Sequence, residues 1–382
     1  MELPSFFIDF LSAIRPSKEQ RARMQEAHTD LQDRLKADKR LAPALITTFV
    51  QGSYRRHTAL RSQEGDHCDV DVVVVTRLGK DSHDPEDVLD AFKPFLEANY
   101  SGLYQPQGRS WGIEWDDLVA LDLVPTAAPS EAMMRLFETE GVGTWSPDIG
   151  PWLIEEAREK NLTVDPLFEA IQSARKDPQW VLEPLDIPDR KARVWDRTHP
   201  LAQIEWTTDK NRRTNGHYIN MVKAIKWWRR EKEPLPKYPK SYPLEHMLGM
   251  NCSNGLQSVA QAVVDVLERA VAEYAEEATI PETPVLPDHG FPAHDAPDVF
   301  SRLDAEDFAA FYKKVQAAAS LAREAFDCTS MHQSSLLWRQ LFGDVFPEAS
   351  PDGGRDDDHG PKGAFTPPVK MRSVNSNRFA QK

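Results

Sequence analysis

At 382 residues, the chain is long enough to bury a large core and is expected to form two lobes. Its 60 acidic and 46 basic residues give a formal net charge of −14, which argues against long nucleic acid as a partner. Three widely separated cysteines, Cys68, Cys252 and Cys328, favour neither a disulfide framework nor a zinc site. The sequence has no membrane-spanning apolar run and no leader pattern, so we expect a cytoplasmic protein with no membrane partner.

The first predicted elements are a long charged helix and a strand that ends in a glycine-serine turn. The pattern of Pro16 to Ala37 predicts a helix, with Ser17 as its N-cap. Leu41 to Val50 predicts a strand, and Gln51-Gly52-Ser53-Tyr54 follows it and begins a short helical segment. Glycine lets the backbone approach an anion closely, and backbone N–H groups with a hydroxyl can bind a phosphate.

A pair of carboxylates opens the next predicted strand. Asp69 and Asp71 precede an apolar run of four valines at 72–75. Residues two apart on a strand point to the same side, so the two acids would repel each other unless a cation neutralises them. Oxygen ligands of this kind suit two Mg²⁺ ions, or Mn²⁺ in their place. The alternative is a solvated pair of acids at the end of a strand.

A third carboxylate lies in a predicted hairpin. Arg109 to Trp115 and Leu118 to Pro125 alternate like strands around the turn Asp116-Asp117. The hairpin leaves Asp122 in an apolar strand that is expected to end at Pro125. A buried aspartate requires a cation or a donor, and two-metal phosphoryl transfer uses a further carboxylate at the attacking hydroxyl. An edge-strand aspartate facing solvent remains the alternative.

The rest of the chain is predicted to be mostly helical. We expect helices over Pro85 to Asn99 with a kink at Pro94, Glu131 to Glu138, Leu153 to Lys160, Gly216 to Arg230, Tyr242 to Met250, Leu256 to Ala275 and Ala305 to Phe326. Ile280 to Asp298 is predicted to be a loop whose histidines are exposed to solvent and bind no metal. The tail from Pro351 onwards has no apolar periodicity and is expected to be disordered.

Taken together, these motifs resemble those of a known superfamily. Gly52-Ser53, Asp69-x-Asp71 and Leu121 to Pro125 are similar to the polymerase-β-like nucleotidyltransferases. Within that superfamily the chain resembles the CD-NTases of bacterial CBASS antiphage systems, relatives of cyclic GMP-AMP synthase and oligoadenylate synthase. The resemblance spans about residues 45 to 250 and includes Trp195 to Pro200, which is similar to the family's W-x-x-T-x-P segment.

The resemblance implies an α+β fold: a mixed sheet flanked by helices, a C-terminal helical lobe, and a cleft between the two. It also implies a division into four segments. These are a spine helix at 1–40, the catalytic core at 41–195, a helical lobe that completes the nucleotide pocket at 196–348, and a disordered tail at 349–382.

The resemblance implies a role for each site residue. Asp69 and Asp71 would bind both metal ions, and Asp122 would hold the ion at the acceptor hydroxyl. The donor nucleotide would be bound by Gln51, Gly52, Ser53, Lys226, Ser241 and Tyr242. By chemistry alone, Lys226 also fits a solvated helix face and Ser241 also fits a plain N-cap. Spacing does not separate Lys223 from Lys226, because residues three apart share a helix face.

The implied function is synthesis of a cyclic di- or trinucleotide second messenger from nucleoside triphosphates, ATP among them, with release of pyrophosphate. The product would reach a downstream effector in antiphage defence, and the enzyme is expected to be a monomer. The alternatives are linear oligonucleotide synthesis or nucleotidylation of an antibiotic or protein, and an inactive nucleotide sensor. The sequence leaves the bases, the linkage and the ring size open.

Two further expectations concern partners. The zinc-bearing loop with which animal cyclic GMP-AMP synthase holds DNA has no Cys/His counterpart in this sequence, and short basic stretches at 190–193 and 223–232 fit a triphosphate pocket. In some CBASS systems a ubiquitin-transferase-like enzyme couples the C-terminus of the nucleotidyltransferase to a target. Such termini commonly end in a small residue, whereas Gln381-Lys382 follow Ala380 here, which favours a plain disordered tail.

Overall fold

The computed structural model describes residues 1–63, 65–139, 171, 173–177, 181–232, 239–280 and 282–351. Its elements are numbered here in chain order within those residues. The helix predicted over Leu153 to Lys160 and almost all of the predicted tail lie outside them. Among the described helices, none combines the length and the apolar character that crossing a membrane requires.

A mixed sheet forms the centre of the N-terminal half. Its strands are β1 (Leu45–Gln51), β2 (Cys68–Thr76), β3 (Tyr104–Pro106), β4 (Trp111–Glu114), β5 (Val119–Ala127), β6 (Leu185–Asp189) and β7 (Val194–Thr198). The spatial order is β1-β2-β5-β4-β3, with β6 paired to the end of β5 and β7 paired to β6. The β2–β5 pair is parallel and the other pairs are antiparallel.

The sheet is covered by helices on both faces, as the α+β expectation requires. The helices are α1 (Pro4–Ile14), α2 (Lys18–Ala37), α3 (Gly52–Arg55), α4 (Pro85–Asp90), α5 (Lys93–Tyr100), α6 (Glu131–Thr139), α7 (Pro200–Arg213), α8 (His217–Glu231), α9 (Ser241–Asn251), α10 (Val259–Glu273), α11 (Ala305–Asp327) and α12 (Met331–Phe342). Helices α2 and α5 pack on one face of the sheet, and α6 packs on the other.

The alternation of side chains along β2 explains the direction of its acids. Val70, Val72 and Val74 belong to the core beneath α2 and α5, whereas Val73 and Val75 belong to the core beneath α6. All five valines are fully buried. Because a strand alternates with a period of two, residues 69 and 71 share the side of Val73 and Val75. The two acids therefore continue one face of the sheet beyond its apolar part.

Two sequence expectations about proline are wrong. The stretch predicted as one kinked helix forms two, α4 and α5, and Pro94 lies in the first turn of α5, where its missing N–H has no cost. Strand β5 continues past Pro125 to Ala127. Strand β4 ends opposite Leu123, two residues before the proline, so the missing N–H interrupts no ladder on that side.

The N-terminal segment forms two helices where one was expected. Ser17 caps α2 as predicted, in a capping box: its hydroxyl accepts from the Gln20 N–H, and the Gln20 side-chain oxygen accepts from the Ser17 N–H. The preceding helix α1 was not predicted. Its Phe7 and Phe10 pack in the core of the helical lobe, against Trp338 and Phe342 of α12. The segment thus contributes one helix to each lobe.

Candidate active site

The three predicted carboxylates converge where β2 and β5 run side by side. In the parallel register Asp71 lies opposite Asp122, and Gln51 pairs with Asp71 from the other side. Asp69 lies on the same face of β2, two residues nearer the start of the strand. Together with Gly52 and Ser53, these residues border a cleft of about 740 Å³ between the sheet and the helical lobe.

The backbone at Gly52 admits only glycine. Its φ of +74° is in the left-handed region that favours glycine. A Cβ atom at this position would lie 1.9 Å from Oδ2 of Asp71. The turn after β1 therefore packs directly against the carboxylate of Asp71, and there is no room for a side chain between them.

The electrostatics of the acids favour a bound cation. Burial raises the pKa of Asp122 to about 7, and the nearby charges of Asp71 and Asp69 contribute to the shift. Burial likewise raises the pKa of Asp71, although Arg56 opposes the effect. Burial and mutual repulsion make it costly to ionise these carboxyl groups. A hard divalent cation suits such oxygen ligands, because its charge cancels the repulsion between the carboxylates. Asp69 is exposed and still fits the alternative of a solvated strand-end acid, whereas Asp71 and Asp122 are both partly buried and fit the solvated alternatives less well.

Asp122 has a donor that the sequence did not reveal. Gln107 donates from Nε2 to Oδ1 of Asp122 at 2.8 Å, and the Ser110 hydroxyl donates to the side-chain Oε1 of Gln107 at 2.9 Å. Gly112 lies opposite Asp122 on β4, and a Cβ there would be 2.6 Å from Nε2 of Gln107. The glycine leaves room for the amide that orients the third carboxylate.

A second cavity of about 460 Å³ adjoins the cleft. Ser53, Asp69, Arg229 and Ser241 border both spaces. Lys226 borders the second cavity. The fold thereby brings the glycine-serine turn next to the predicted residues of α8 and α9, beside the carboxylates. In sequence the turn and these residues are 170 positions or more apart.

The structure contradicts one of the two interpretations of Ser241. Helix α9 begins at Ser241, and its N-cap is Lys240. Ser241 is therefore the first helical residue, and the plain N-cap interpretation is wrong. Its position beside both cavities agrees with a role in binding an anion.

Lys226 is buried, so the solvated helix-face alternative is wrong as well. Its Nζ donates to the Thr58 carbonyl oxygen at 2.9 Å and to Oε1 of Glu245 at 2.8 Å. The other carboxylate oxygen of Glu245 accepts two bonds of 3.2 Å from Arg56. Burial alone would raise the pKa of Glu245, but Lys226 and Arg56 hold it below its usual value. Lys223 is fully buried on the same helix and borders neither of the two cavities described above.

Tyr242 borders the cleft, and two neighbouring side chains fix the position of its ring. Its hydroxyl donates to Oδ2 of Asp288 at 2.9 Å, and the Arg56 guanidinium lies 5.3 Å from the ring centroid. Asp288 belongs to the loop whose histidines were expected to be exposed. That expectation is right for His294 and wrong for His289, whose side chain is only 10% exposed.

Comparison with known proteins identifies the family. Residues 1–161 match the family model described as the Second Messenger Oligonucleotide or Dinucleotide Synthetase domain. The chain is 41% identical to the "Cyclic AMP-AMP-GMP synthase" of Enterobacter hormaechei subsp. hoffmannii (strain UCI 50), over an alignment of 402 positions that covers 100% of both chains. The chain belongs to this family of cyclic oligonucleotide synthases. It is a nucleotidyltransferase that makes a cyclic oligonucleotide second messenger, which decides against the linear-product and sensor alternatives.

Two further comparisons are consistent with this family. The synthase is 27% identical to the "Cyclic AMP-AMP-AMP synthase" of Acinetobacter sp. (strain ATCC 27244 / 9458), covering 90% of this chain and 85% of the relative. The solved structure of E. coli MS115-1 CdnC with ATP superposes with a TM-score of 0.62 at 16% identity, covering 91% of the synthase and 100% of CdnC. This structural likeness confirms the expected polymerase-β-like fold.

Proposed function

We propose that the synthase makes a cyclic trinucleotide of two adenylates and one guanylate from ATP and GTP, releasing pyrophosphate at each bond. The name of the Enterobacter relative, which aligns over its full length, supports this product. The more distant Acinetobacter relative is named for an all-adenylate product. Guanine at one position is therefore the part of the proposal that most needs a direct measurement.

The observation that carries the proposal is the juxtaposition of Asp71 and Asp122 on neighbouring parallel strands, with Gly52 against Asp71. We assign Asp69 and Asp71 to two Mg²⁺ ions and Asp122 to the ion at the acceptor hydroxyl. Members of this family use a divalent metal, and Mn²⁺ is expected to replace Mg²⁺. When bound, the ions would neutralise the phosphates and lower the pKa of the acceptor hydroxyl.

The donor nucleotide is proposed to lie with its triphosphate where the second cavity meets the cleft, beside Ser53 and Ser241. The backbone of Gln51, Gly52 and Ser53 and the Ser241 hydroxyl supply donors to the phosphate oxygens. The Lys226 ammonium group has three N–H donors, of which Thr58 and Glu245 accept two, so one is left for a phosphate oxygen. The base would stack on Tyr242, whose ring is already fixed by Asp288.

Positioning of the two reactants contributes to the proposed rate enhancement beside the charge neutralisation by the ions. The acceptor hydroxyl oxygen forms a bond to the α-phosphorus as the bond to the pyrophosphate oxygen breaks. Holding the two reactants in line removes the entropic cost of their encounter. The hydrogen bond from Gln107 fixes the orientation of the Asp122 carboxylate, so the acceptor hydroxyl would always approach it from the same direction.

The test is synthesis from ATP and GTP with Mg²⁺, followed by phosphatase treatment and mass spectrometry. A cyclic product has no terminal phosphate to lose, so it survives the treatment, and its mass gives the bases. Asp69→Asn should abolish product without loss of fold, whereas Asp117→Asn, at an exposed position of the hairpin turn, should retain it. Unchanged synthesis by Asp69→Asn would overturn the site, and a product without guanine would overturn the base assignment.

The remaining expectations about partners stay proposals. We propose that the product diffuses to an effector in antiphage defence, that the synthase works in the cytoplasm, and that it is a monomer. Light scattering after size exclusion measures the last of these directly. Conjugation of the C-terminal tail concerns residues beyond those described and stays a prediction from the resemblance.

A further inference from the structure

A cluster of two histidines and one aspartate lies behind Tyr242, apart from the three carboxylates. His246 is on α9, and Asp288 and His289 are on the loop between α10 and α11. Nδ1 of His246 is 2.6 Å from Nδ1 of His289, which is 4.0 Å from Oδ1 of Asp288. One ligand atom from each of the three residues lies within 4.8 Å of the others. The proposed synthesis uses none of these nitrogens.

Neighbouring groups fix the orientation of each side chain in the cluster. His246 donates from Nε2 to the Pro287 carbonyl oxygen at 2.9 Å, which assigns the lone pair to Nδ1. A histidine whose second nitrogen donates to a backbone carbonyl is the arrangement found at metal-ligating histidines. Oδ1 of Asp288 accepts the Gly290 N–H at 2.8 Å, and Oδ2 accepts from Tyr242. The ligand directions are therefore set before any ion arrives.

His289 supplies a second, independent observation. Its ring is packed between Trp206, at 4.1 Å between centroids, and His246, at 4.3 Å. Its Nε2 is buried and makes no hydrogen bond within the described part of the chain. Burying a polar nitrogen without a hydrogen-bond partner costs free energy. The packing therefore holds the His289 ring in the cluster even though its Nε2 makes no hydrogen bond.

Neutral imidazole is the form that binds metal ions. Two nitrogens each about 2.05 Å from a tetrahedral ion are about 3.3 Å apart, so the rings must separate by roughly 0.7 Å. Two lone pairs this close would repel each other, so the contact requires one proton between the two nitrogens, which an ion would replace.

We propose that His246, Asp288 and His289 bind one transition-metal ion, with Zn²⁺ the best match and a fourth position left to water. Two imidazoles and one carboxylate suit zinc, whereas Mg²⁺ prefers the all-oxygen set of the catalytic aspartates. The ion would join the 282–303 loop to α9. Because Asp288 also accepts from Tyr242, the ion would fix the ring on which a base is proposed to stack.

The first measurement is zinc binding by the full-length protein after removal of metals with a chelator. Saturating Mg²⁺ is kept present to occupy the catalytic carboxylates, and Zn²⁺ is titrated by calorimetry. We expect one equivalent to bind. Co²⁺ in place of Zn²⁺ should give the visible spectrum of a tetrahedral nitrogen and oxygen site, without the near-ultraviolet band that thiolate ligands produce. That difference excludes the three cysteines.

The loop provides a matched pair of variants. His289→Ala should weaken Zn²⁺ binding at least about tenfold, whereas His294→Ala, at an exposed histidine five residues later, should bind like the wild type. Zn²⁺ should raise the Tm of the wild type and of His294→Ala but not that of His289→Ala. His289→Gln serves if the alanine variant does not fold.

Two results would overturn the site. One is a wild-type protein that binds no zinc under these conditions. The other is an affinity for Zn²⁺ that is the same in a folded His289 variant as in His294→Ala. Neither result bears on the catalytic carboxylates, since the titration contains saturating Mg²⁺ and measures binding without synthesis.

Discussion

Gly52 lies so close to the Asp71 carboxylate that no side chain fits at its position. In Gly52→Ala the new methyl group would overlap Oδ2 of Asp71, and the positive φ adds strain of about 1–2 kcal/mol. Displacing a catalytic group by about an ångström can reduce a rate about 100-fold. We therefore expect synthesis to fall by about that factor, measured as product formed per minute under saturating ATP, GTP and Mg²⁺.

Gly65 is the matched control for this prediction. It also has a positive φ, +87°, but no heavy atom of the described residues lies within 4 Å of its Cβ position. Gly65→Ala should carry the backbone strain without displacing a carboxylate, so it should keep its activity. Equal loss of synthesis in the two variants would show that strain alone, and not the contact with Asp71, explains the glycine.

The raised pKa of Asp122 predicts a pH dependence for cation binding. Because the carboxyl group of the cation-free protein has a pKa of about 7, an ion must displace a proton below that pH. Affinity for Mn²⁺ should therefore fall by up to about tenfold per pH unit below 7 and level off above it. Calorimetric titrations between pH 5.5 and 8 measure this, and a flat profile over that range would contradict it.

The same shift has a consequence for stability. In the unfolded chain Asp122 ionises near the ordinary aspartate pKa of 3.8, whereas in the folded, cation-free protein it retains its proton until about pH 7. The unfolded state thus binds fewer protons between these values, so stability decreases as pH rises through this window. Asp122→Asn should raise the Tm of chelator-treated protein at pH 8 and leave it nearly unchanged at pH 4.

At the residue scale, the sequence revealed the groups that lie in short motifs. Gly52, Ser53, Asp69, Asp71 and Asp122 could be selected because turn chemistry and strand alternation act over a few neighbours. Their partners could not, since contacts between distant residues decide them. Arg56 and Glu245 are 189 positions apart, and Gln107 reaches Asp122 only because β4 folds back beside β5.

At the scale of elements, a buried ionic network joins α3, α8 and α9. Glu245 is 5% exposed and compensates both Arg56 and Lys226. Glu245→Gln keeps the shape but leaves two buried cations without a counter-charge, which we expect to cost about 3 kcal/mol or more of the free energy of unfolding. The variant should also lose donor binding, seen as a raised KM for ATP, because Lys226 loses its orientation.

A surface pair of similar geometry is the control. Glu268 binds Arg323 in a fork of 2.8 and 2.7 Å, but both side chains are more than 40% exposed. Glu268→Gln should cost less than about 1 kcal/mol and leave KM unchanged. If chemical denaturation gives the two variants the same loss of stability, the buried network does not join the elements as described.

The elements that the sequence predicted and those it missed differ in how they are stabilised. Strand β2 and the β4–β5 hairpin follow from alternation, and α2 follows from a local capping box, so short windows contain the information. Helix α1 is stabilised by aromatic contacts with α12, more than 300 residues away in sequence. Whether such an apolar segment becomes a helix depends on its partner, which no local pattern supplies.

At the scale of the whole molecule, the first two helices join the lobes on either side of the cleft. Helix α1 is buried in the helical lobe, α2 is buried against the sheet, and Pro16 lies between them. Arg15 at this junction donates to Asn220 of α8 at 2.8 Å. The resemblance predicted a joining role for this segment, and the packing of α1 adds the reason. The four-segment division with its exact bounds stays a prediction.

The overall charge gives the last prediction: duplex nucleic acid should not change the rate of synthesis. A net charge of −14 opposes a polyanion, and a duplex grip requires about 6–10 phosphate contacts from accessible cations. The two basic stretches do not provide that many, although Lys191 and Arg193 are exposed. Lys223 and Lys226 are buried, and Arg190 is 17% exposed and lies over the Trp111 ring. With DNA of about 45 base pairs at about 50 mM salt, product formation should stay within about twofold of the DNA-free rate, since low salt is where electrostatic binding is strongest. A retarded band together with stimulated synthesis would contradict this prediction.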